Sequence, residues 1–293
     1  MEPARTPPDG VRGVAYTPDG ALVTVGVDGT LRVTGPPGTP ERRRVLPGRE
    51  LRTDPAVSPD GRWIAAVSSD PVGGDGPDDR VHVWETATLD ETATVPLDDV
   101  GASSPAFGPD GRRLAVAVGD GIRMWRFGGG TLTGDRTVRS RQGGQGAQDG
   151  RGRVRTLAYS PDGRLLATAG DGGRIVVRDA ATAEPVREVA RRHPSTIRDV
   201  VFSPDGSMLA SGAVDDSTLR VWEVDTGRLL ANLTGHVGPP NDVAFSPDGS
   251  LLAGASRDTA VSLWPLDPAD AVAALCEDLT HTGGPEALCA DPG

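Results

Sequence analysis

Short apolar segments separated by tight-turn residues repeat along the whole chain. The fifth copy shows the pattern most clearly: Ile197 to Phe202 and Met208 to Ala213 are both apolar, and they flank the turn Ser203 to Gly206 (Ser-Pro-Asp-Gly). In such a turn proline presets φ, aspartate bonds back to the backbone and glycine closes the loop. The flanking segments are too short for helices, so each copy predicts a β-hairpin.

The Pro-Asp-Gly turn occurs six times at nearly regular spacing. Its prolines are Pro18, Pro59, Pro109, Pro161, Pro204 and Pro247. After each hairpin comes an alternating third segment, which often ends in tryptophan, and a fourth segment follows in several copies. Four strands in about 40 to 45 residues is the period of a propeller blade. The pattern predicts an all-β fold: a β-propeller of about six four-stranded blades, with an incomplete seven-bladed propeller as the alternative.

The two ends of the chain do not follow the repeat. Residues 1–10 contain three prolines and make a poor strand, so we treat them as an N-terminal segment before the propeller at 11–266. In the tail, 267–293, the apolar residues Val272, Leu275, Cys276 and Leu279 have the spacing of an amphipathic helix. We therefore expect a short C-terminal helix, packed against the last blade, where that blade's fourth strand would stand.

Composition mainly excludes classes of partner. The 40 glycines and 26 prolines would suggest disorder in a chain without a period, but here the turns account for them. The net charge of -11 argues against a nucleic-acid surface, which needs a clustered positive face. No apolar run is long enough to span a membrane, and the first ten residues lack the features of a secretory signal. We expect a cytoplasmic monomer that binds neither nucleic acid nor membrane.

The fifth and sixth repeats, from Ile197 through Trp264, resemble WD repeats. They contain the Phe-Ser-Pro-Asp-Gly turn, then Leu-Ala-Ser-Gly or Leu-Ala-Gly-Ala, an aspartate six residues before tryptophan, and Gly-His opening the next repeat. The resemblance covers about 11–266 and implies a WD-repeat β-propeller. The composition, free of lysine and rich in arginine, alanine and glycine, is similar to that of high-GC bacterial proteins, which favours a bacterial member.

In this family a histidine, an aspartate, a hydroxyl residue and the tryptophan form a hydrogen-bonded network inside a blade. The resemblance places this structural network at His193, Ser211, Asp216 and Trp222 in the fifth repeat, and at His236, Asp258 and Trp264 in the sixth. In the sixth repeat Gly254 replaces the hydroxyl residue. The first four repeats lack the histidine, so the resemblance implies better-defined late blades and softer early ones.

Catalytic and metal sites find little support in the sequence. No histidine stands at zinc-site spacing from another ligand, and Cys276 and Cys289 lie in the tail without a second pair. Ser211 with His193 and Asp216 has the composition of a nucleophilic triad, but no strand-to-helix elbow surrounds the serine. We expect no metal, no cofactor and no enzymatic activity.

Function in such a fold lies on the loops and on the rim of the central channel. The residues at the start of each innermost strand vary between repeats, and with one turn arginine they form a candidate binding face: Arg12, Thr53, Asp54, Arg155, Arg198, Asp199, Asn241, Asp242 and Arg257. A partner with acidic and hydrogen-bonding groups suits this face. The sequence therefore predicts a non-catalytic scaffold for a protein or peptide partner, whose identity it does not name.

Two other functions stay open. Some propellers of other families are hydrolases with catalytic groups in the channel, although the candidate face here has no histidine and only Asp54, Asp199 and Asp242 as acids. The chain could also be the C-terminal sensory or regulatory module of a larger bacterial signalling protein. A broad hydrolase screen tests the first alternative, and the genomic sequence upstream of Met1 tests the second.

Overall fold

The computed structural model describes residues 10–51, 53–69, 79–97, 102–103, 105–139, 152–189, 192–215 and 217–266. These residues form strands and turns and no helix, and the strands group into six antiparallel sheets. The first strands of successive sheets contact one another, so the sheets stand as blades around a central channel. The predicted six-bladed β-propeller is confirmed. The predicted C-terminal helix at 267–293 lies outside the described residues.

Each blade takes its strands from one sequence repeat. Blade 1 contains β1 (Val11–Tyr16), β2 (Leu22–Gly26), β3 (Thr30–Thr34) and β4 (Arg42–Val45). Blade 2 contains β5 (Glu50–Leu51), β6 (Ala56–Val57), β7 (Trp63–Ser69), β8 (Arg80–Glu85) and β9 (Glu91–Pro96). Blade 3 contains β10 (Pro105–Phe107), β11 (Arg113–Val118), β12 (Gly121–Gly128) and β13 (Thr131–Arg139).

The later blades follow the same plan. Blade 4 contains β14 (Val154–Tyr159), β15 (Leu165–Gly170), β16 (Ile175–Asp179) and β17 (Pro185–Glu188). Blade 5 contains β18 (Ile197–Phe202), β19 (Met208–Ala213), β20 (Leu219–Glu223) and β21 (Leu229–Leu233). Blade 6 contains β22 (Pro240–Phe245), β23 (Leu251–Ser256) and β24 (Val261–Pro265).

The Pro-Asp-Gly turns are fixed by their own side chains. In blade 5, Ser203 Oγ donates to Asp205 Oδ1 at 2.5 Å and accepts from the Met208 N–H at 2.9 Å. The Gly206 N–H donates to the Ser203 carbonyl at 2.9 Å, and its φ of +75° is a conformation that glycine adopts without strain. Because every partner lies within five residues, the hairpin forms from local sequence.

Two blades depart from the regular four-strand order. In blade 2 the innermost position is divided between β5 and β6, which pair separately with β7. Pro55, just before β6, has no N–H to donate to a ladder, which is consistent with the break. Blade 6 has three strands within the described residues, which end at Leu266. The position where its fourth strand would stand lies outside the described residues.

The hydrophobic core is divided among the seams between neighbouring blades. Five buried clusters occupy the five seams from blades 1 and 2 through blades 5 and 6. At the last of these, Leu219 and Val221 of blade 5 pack with Val243 and Leu252 of blade 6. Each blade therefore presents one face to the blade before it and the other to the blade after it, and both faces must be apolar.

Candidate binding face at the channel mouth

The candidate binding face lies at the end of the channel where the first strands begin. Because neighbouring strands are antiparallel, the turns between second and third strands lie at this same mouth. The face takes its residues from three kinds of element. The first strands supply Arg12, Arg155, Arg198, Asp199, Asn241 and Asp242, the β5–β6 connection supplies Thr53 and Asp54, and the β23–β24 turn supplies Arg257. The structure thus brings residues of blades 1, 2, 4, 5 and 6 to one end of the molecule.

Arg198 is the centre of a group of four arginines at this mouth. Burial lowers the pKa of the Arg198 guanidinium, and the positive charges of Arg257, Arg12 and Arg155 lower it further. The Arg198 Nε is buried and has no hydrogen-bond partner within the described residues. A cation that is partly desolvated and surrounded by like charges gains most from an incoming anion.

The other arginines of the group differ in their partners. Arg155 donates to Asp171 through Nε at 2.8 Å and through Nη2 at 3.2 Å, a forked ion pair that offsets its charge. Arg257 Nε donates instead to the neutral amide oxygen of Asn241 at 3.3 Å, so its charge is not offset by that contact. The excess positive charge therefore lies around Arg198 and Arg257.

Asp199 forms a carboxyl pair with Asp242 of the next blade. Burial, followed by the charge of Asp242, raises the pKa of Asp199 well above its usual range. The Asp199 side chain accepts from the Val200 N–H at 2.8 Å, from the Val243 N–H at 3.1 Å and from Thr156 Oγ1 at 3.3 Å. A pair that shares one proton carries one negative charge rather than two, so it cancels little of the arginine charge.

Thr53 and Asp54, between β5 and β6, both lie against neighbouring strands. Thr53 is buried, and its Oγ1 accepts from the Val67 N–H at 3.3 Å, so it supports the interrupted innermost strand of blade 2. Asp54 is exposed but lies against blade 1: a Cβ added to Gly13 would stand 2.5 Å from Asp54 Oδ1. The Thr53 hydroxyl is thus used in a hydrogen bond within its own blade.

The network residues of blade 5 meet at Ser211. The Ser211 Oγ lies 2.8 Å from His193 Nε2 and accepts from Trp222 Nε1 at 3.0 Å. Asp216 lies outside the described residues. His193, Ser211 and Trp222 are all buried, so the serine hydroxyl has no access to a substrate and its partners serve packing.

Blade 6 builds its network without a hydroxyl residue. His236 lies 3.1 Å from Asp258 Oδ2 through Nδ1 and 3.2 Å from the Gly254 carbonyl through Nε2. Trp264 Nε1 donates to the Thr234 carbonyl at 3.3 Å, and its ring packs edge-on to His236. A Cβ added to Gly254 would stand 2.5 Å from Leu219 Cδ1, so the packed seam explains why glycine replaces the hydroxyl residue here.

Two buried polar networks in the earlier blades were not predicted from the sequence. In blade 2, His82 Nε2 lies 2.7 Å from Ser68 Oγ and His82 Nδ1 lies 2.7 Å from Glu91 Oε1. The His82 ring stacks on Trp84 with centroids 5.3 Å apart, and burial lowers the pKa of His82. His82 lies in the third strand of its blade, whereas His193 and His236 lie in the loops before the first strands. No sequence signal marks this change of position.

In blade 4 a buried arginine replaces the tryptophan. Arg178 is 2% exposed, and its Nε donates to Thr168 Oγ1 at 3.1 Å while its Nη1 donates to the Ala183 carbonyl at 3.1 Å. Thr168 occupies the position that Ser211 has in blade 5. Arg178 therefore donates to the central hydroxyl of its blade, as Trp222 does in blade 5. The sequence signal for this network was that Arg178 stands where other repeats have tryptophan.

The described residues contain no group of three or more histidine, cysteine, aspartate or glutamate side chains placed to hold a metal ion. Nor does this part of the chain include a helix long and apolar enough to cross a membrane.

Together these features define a β-propeller with an arginine-rich channel mouth and buried blade networks, the architecture of a propeller interaction module. The chain belongs to the WD-repeat family. The family model described as "WD domain, G-beta repeat" matches residues 2–34, 145–179, 184–223 and 227–265. No curated protein matches the chain. The predicted family is confirmed, and its propellers generally serve as scaffolds that bind protein partners.

Proposed function

We propose that this protein is a non-catalytic interaction platform that binds an acidic segment of a protein partner at the channel mouth. The observation that carries the proposal is the environment of Arg198: a partly buried guanidinium beside three other arginines, with its Nε buried and unpartnered in the described structure. A carboxylate bound to this guanidinium would relieve the repulsion among the like charges.

Electrostatics of the whole molecule sharpen this preference. The net charge is -11, so the surface as a whole repels acidic partners. The arginines at the channel mouth can attract an acidic segment of a partner, but the segment must be short and exposed in order to reach them. The proposed site therefore recognises a local feature of its partner, and the rest of the partner surface adds little attraction.

The hydrolase alternative is less well supported by the geometry. The nearest resemblance to a catalytic group is the contact of Ser211 with His193, but Ser211 is fully buried and its oxygen is held by the Trp222 N–H. At the mouth, the raised pKa of Asp199 would suit an acid, but the hydroxyl beside it belongs to Thr156, which is buried and donates to Asp199. Binding of an anion accounts for the charged residues at the channel mouth, and no catalysed reaction is needed to explain them.

Binding of fluorescent acidic peptides tests the proposal. We expect a glutamate-rich peptide to bind the wild type, and a glutamine-rich peptide of equal length not to bind. Arg198→Gln should weaken binding by roughly 10-fold or more, because a hydrogen bond to a charged group contributes about 1.5 to 3 kcal/mol. The affinity should also fall as salt concentration rises.

The matched control is Arg164→Gln. Arg164 follows the Pro-Asp-Gly turn of blade 4 at the opposite end of the propeller, and its side chain is 86% exposed. Equal losses in the Arg164 and Arg198 variants, or no binding of acidic peptide to the wild type, would refute the proposal. A pull-down from native extract with Arg155 and Arg198 intact or substituted would then identify the natural partner.

A further inference from the structure

The seam between blade 6 and blade 1 differs from the other five seams. Val14 occupies the position in β1 that Val200 and Val243 occupy in β18 and β22. Val200 and Val243 are 1% and 2% exposed, whereas Val14 is 53% exposed. On the same face Tyr16 is 70% exposed. The face that blade 1 turns toward blade 6 is therefore uncovered.

The opposing wall of this seam is uncovered as well. Val261 and Leu263 stand three and one residues before Trp264, as Leu219 and Val221 do before Trp222. In blade 5 those two residues are buried by the next blade, but Val261 is 70% exposed and Leu263 is 61% exposed. Blade 6 and blade 1 thus each have the apolar face of a blade interface, but neither face is buried by the other blade.

The turns at the other end of the propeller show the same difference. At each of the five packed seams a Cβ added to the turn glycine would stand 3.0 to 3.9 Å from the turn proline of the preceding blade. For example, Gly249 meets Pro204 Cδ at 3.5 Å. At Gly20, the equivalent glycine of blade 1, such a Cβ meets nothing within 4 Å. The seam between blades 6 and 1 therefore lacks the close contacts of the other five, both along its strands and at its turns.

We propose that residues 267–293 of this chain cover the blade 6–blade 1 seam and contact both of its walls. The segment follows Leu266, whose N–H donates to the Ser250 carbonyl at the edge of blade 6, so it starts beside the uncovered face. Its apolar residues Val272, Leu275, Cys276 and Leu279 are spaced to form one stripe. Ten residues reach roughly 15 Å as a helix, more than the about 10 Å that separates stacked sheets.

Charge favours this occupant over a second copy of the chain. Segment 267–293 contains six acidic residues and no arginine or lysine. The uncovered face of blade 1 carries Arg32 and, paired with it across the ladder, Arg43. A second copy would bring a net charge of -11 against a molecule of the same net charge, whereas the acidic tail is already part of the chain and adds no such repulsion.

Crosslinking in the full-length chain tests the proposal, because Cys276 and Cys289 are its only cysteines. In a Cys289→Ser background we would introduce Tyr16→Cys or Val261→Cys, one on each wall, and treat each protein with a short bis-maleimide. We expect both variants to give an intramolecular crosslink to Cys276, identified by peptide mass spectrometry. Both positions are exposed, so the substitutions should not prevent folding.

The matched control is Val186→Cys, which is 56% exposed on β17 of blade 4, away from the seam. It should give at least ten-fold less crosslink to Cys276 than either seam variant. Equal yields at all three positions would overturn the proposal. Crosslinks between two chains would assign the seam to a second copy and also overturn it, as would seam cysteines that are labelled singly and never joined to Cys276.

Discussion

Val243 of blade 6 packs against blade 5 and is 2% exposed, whereas Val14, its counterpart in blade 1, is 53% exposed. The two valines stand at the same place in the same repeated strand, so the repeat by itself predicts the same burial for both. The difference comes from the neighbouring blade, because a valine in a propeller is covered only when the preceding blade presents its face.

Replacing Trp222 should be strongly destabilising. We expect Trp222→Ala to cost about 3 to 5 kcal/mol in the free energy of unfolding, because it empties a buried aromatic site and removes the donor to Ser211. Trp63→Ala should cost less, since Trp63 is 9% exposed against 0% for Trp222. Urea denaturation of both variants measures this, and equal losses would contradict the role given to the blade 5 network.

Replacing the buried arginine of blade 4 should also destabilise the fold. Arg178→Ala removes a packed side chain together with its bonds to Thr168 Oγ1 and the Ala183 carbonyl, and we expect a loss of about 2 to 5 kcal/mol. The control Arg174→Ala removes a surface ion pair with Glu188 and should cost no more than about 1 kcal/mol. A smaller loss at Arg178 than at Arg174 would show that the buried network contributes little.

Asp199 should make the protein less stable as the pH rises. Its folded-state pKa is raised, so its contribution to stability is fully present below the unfolded-state pKa of about 3.9 and is lost as pH rises through the folded-state pKa. Asp199→Asn cannot ionise and keeps a donor for Asp242. We expect this variant to be more stable than the wild type near neutral pH, with the advantage shrinking toward pH 4.

The control for this experiment is Asp205→Asn in the blade 5 turn. The Ser203 hydroxyl and the Ser207 N–H lower the pKa of Asp205, so its contribution is present above the unfolded-state pKa and is lost as pH falls. This variant should lose stability at neutral pH and lose less in acid. Urea denaturation across the pH range measures both variants, and the same sign for the two would rule out the assignment of Asp199.

The turn aspartate of blade 6 should titrate at unusually low pH. The Ser246 hydroxyl, followed by the Ser250 N–H and hydroxyl, lowers the pKa of Asp248 to about 2. We expect Ser246→Ala to move this pKa up toward its ordinary value, because it removes the largest cause of the shift. Carboxyl carbon NMR titration of both proteins measures the change. If the pKa of Asp248 in the variant stays where it is in the wild type, the effect belongs to the Ser250 N–H and hydroxyl.

Much of the fold follows from local sequence. The six hairpins were predicted because each turn contains its own proline, aspartate and glycine, with partners no more than five residues away, as at Ser203 and Met208. The WD-repeat family was predicted for the same reason, since its signature residues recur at fixed places within one repeat.

The remaining features depend on residues that are distant in sequence. Arg198 acquires its character from Arg12, Arg155 and Arg257, which reach it only when four blades stand around one channel. Thr53 is buried, and its Oγ1 accepts from the N–H of Val67, which is 14 residues away in the chain, so its surroundings also depend on the folded blade. The sequence by itself determined the blades, because hairpins close locally; the tertiary structure decided which side chains are covered and which charges meet, because both depend on the neighbouring blade.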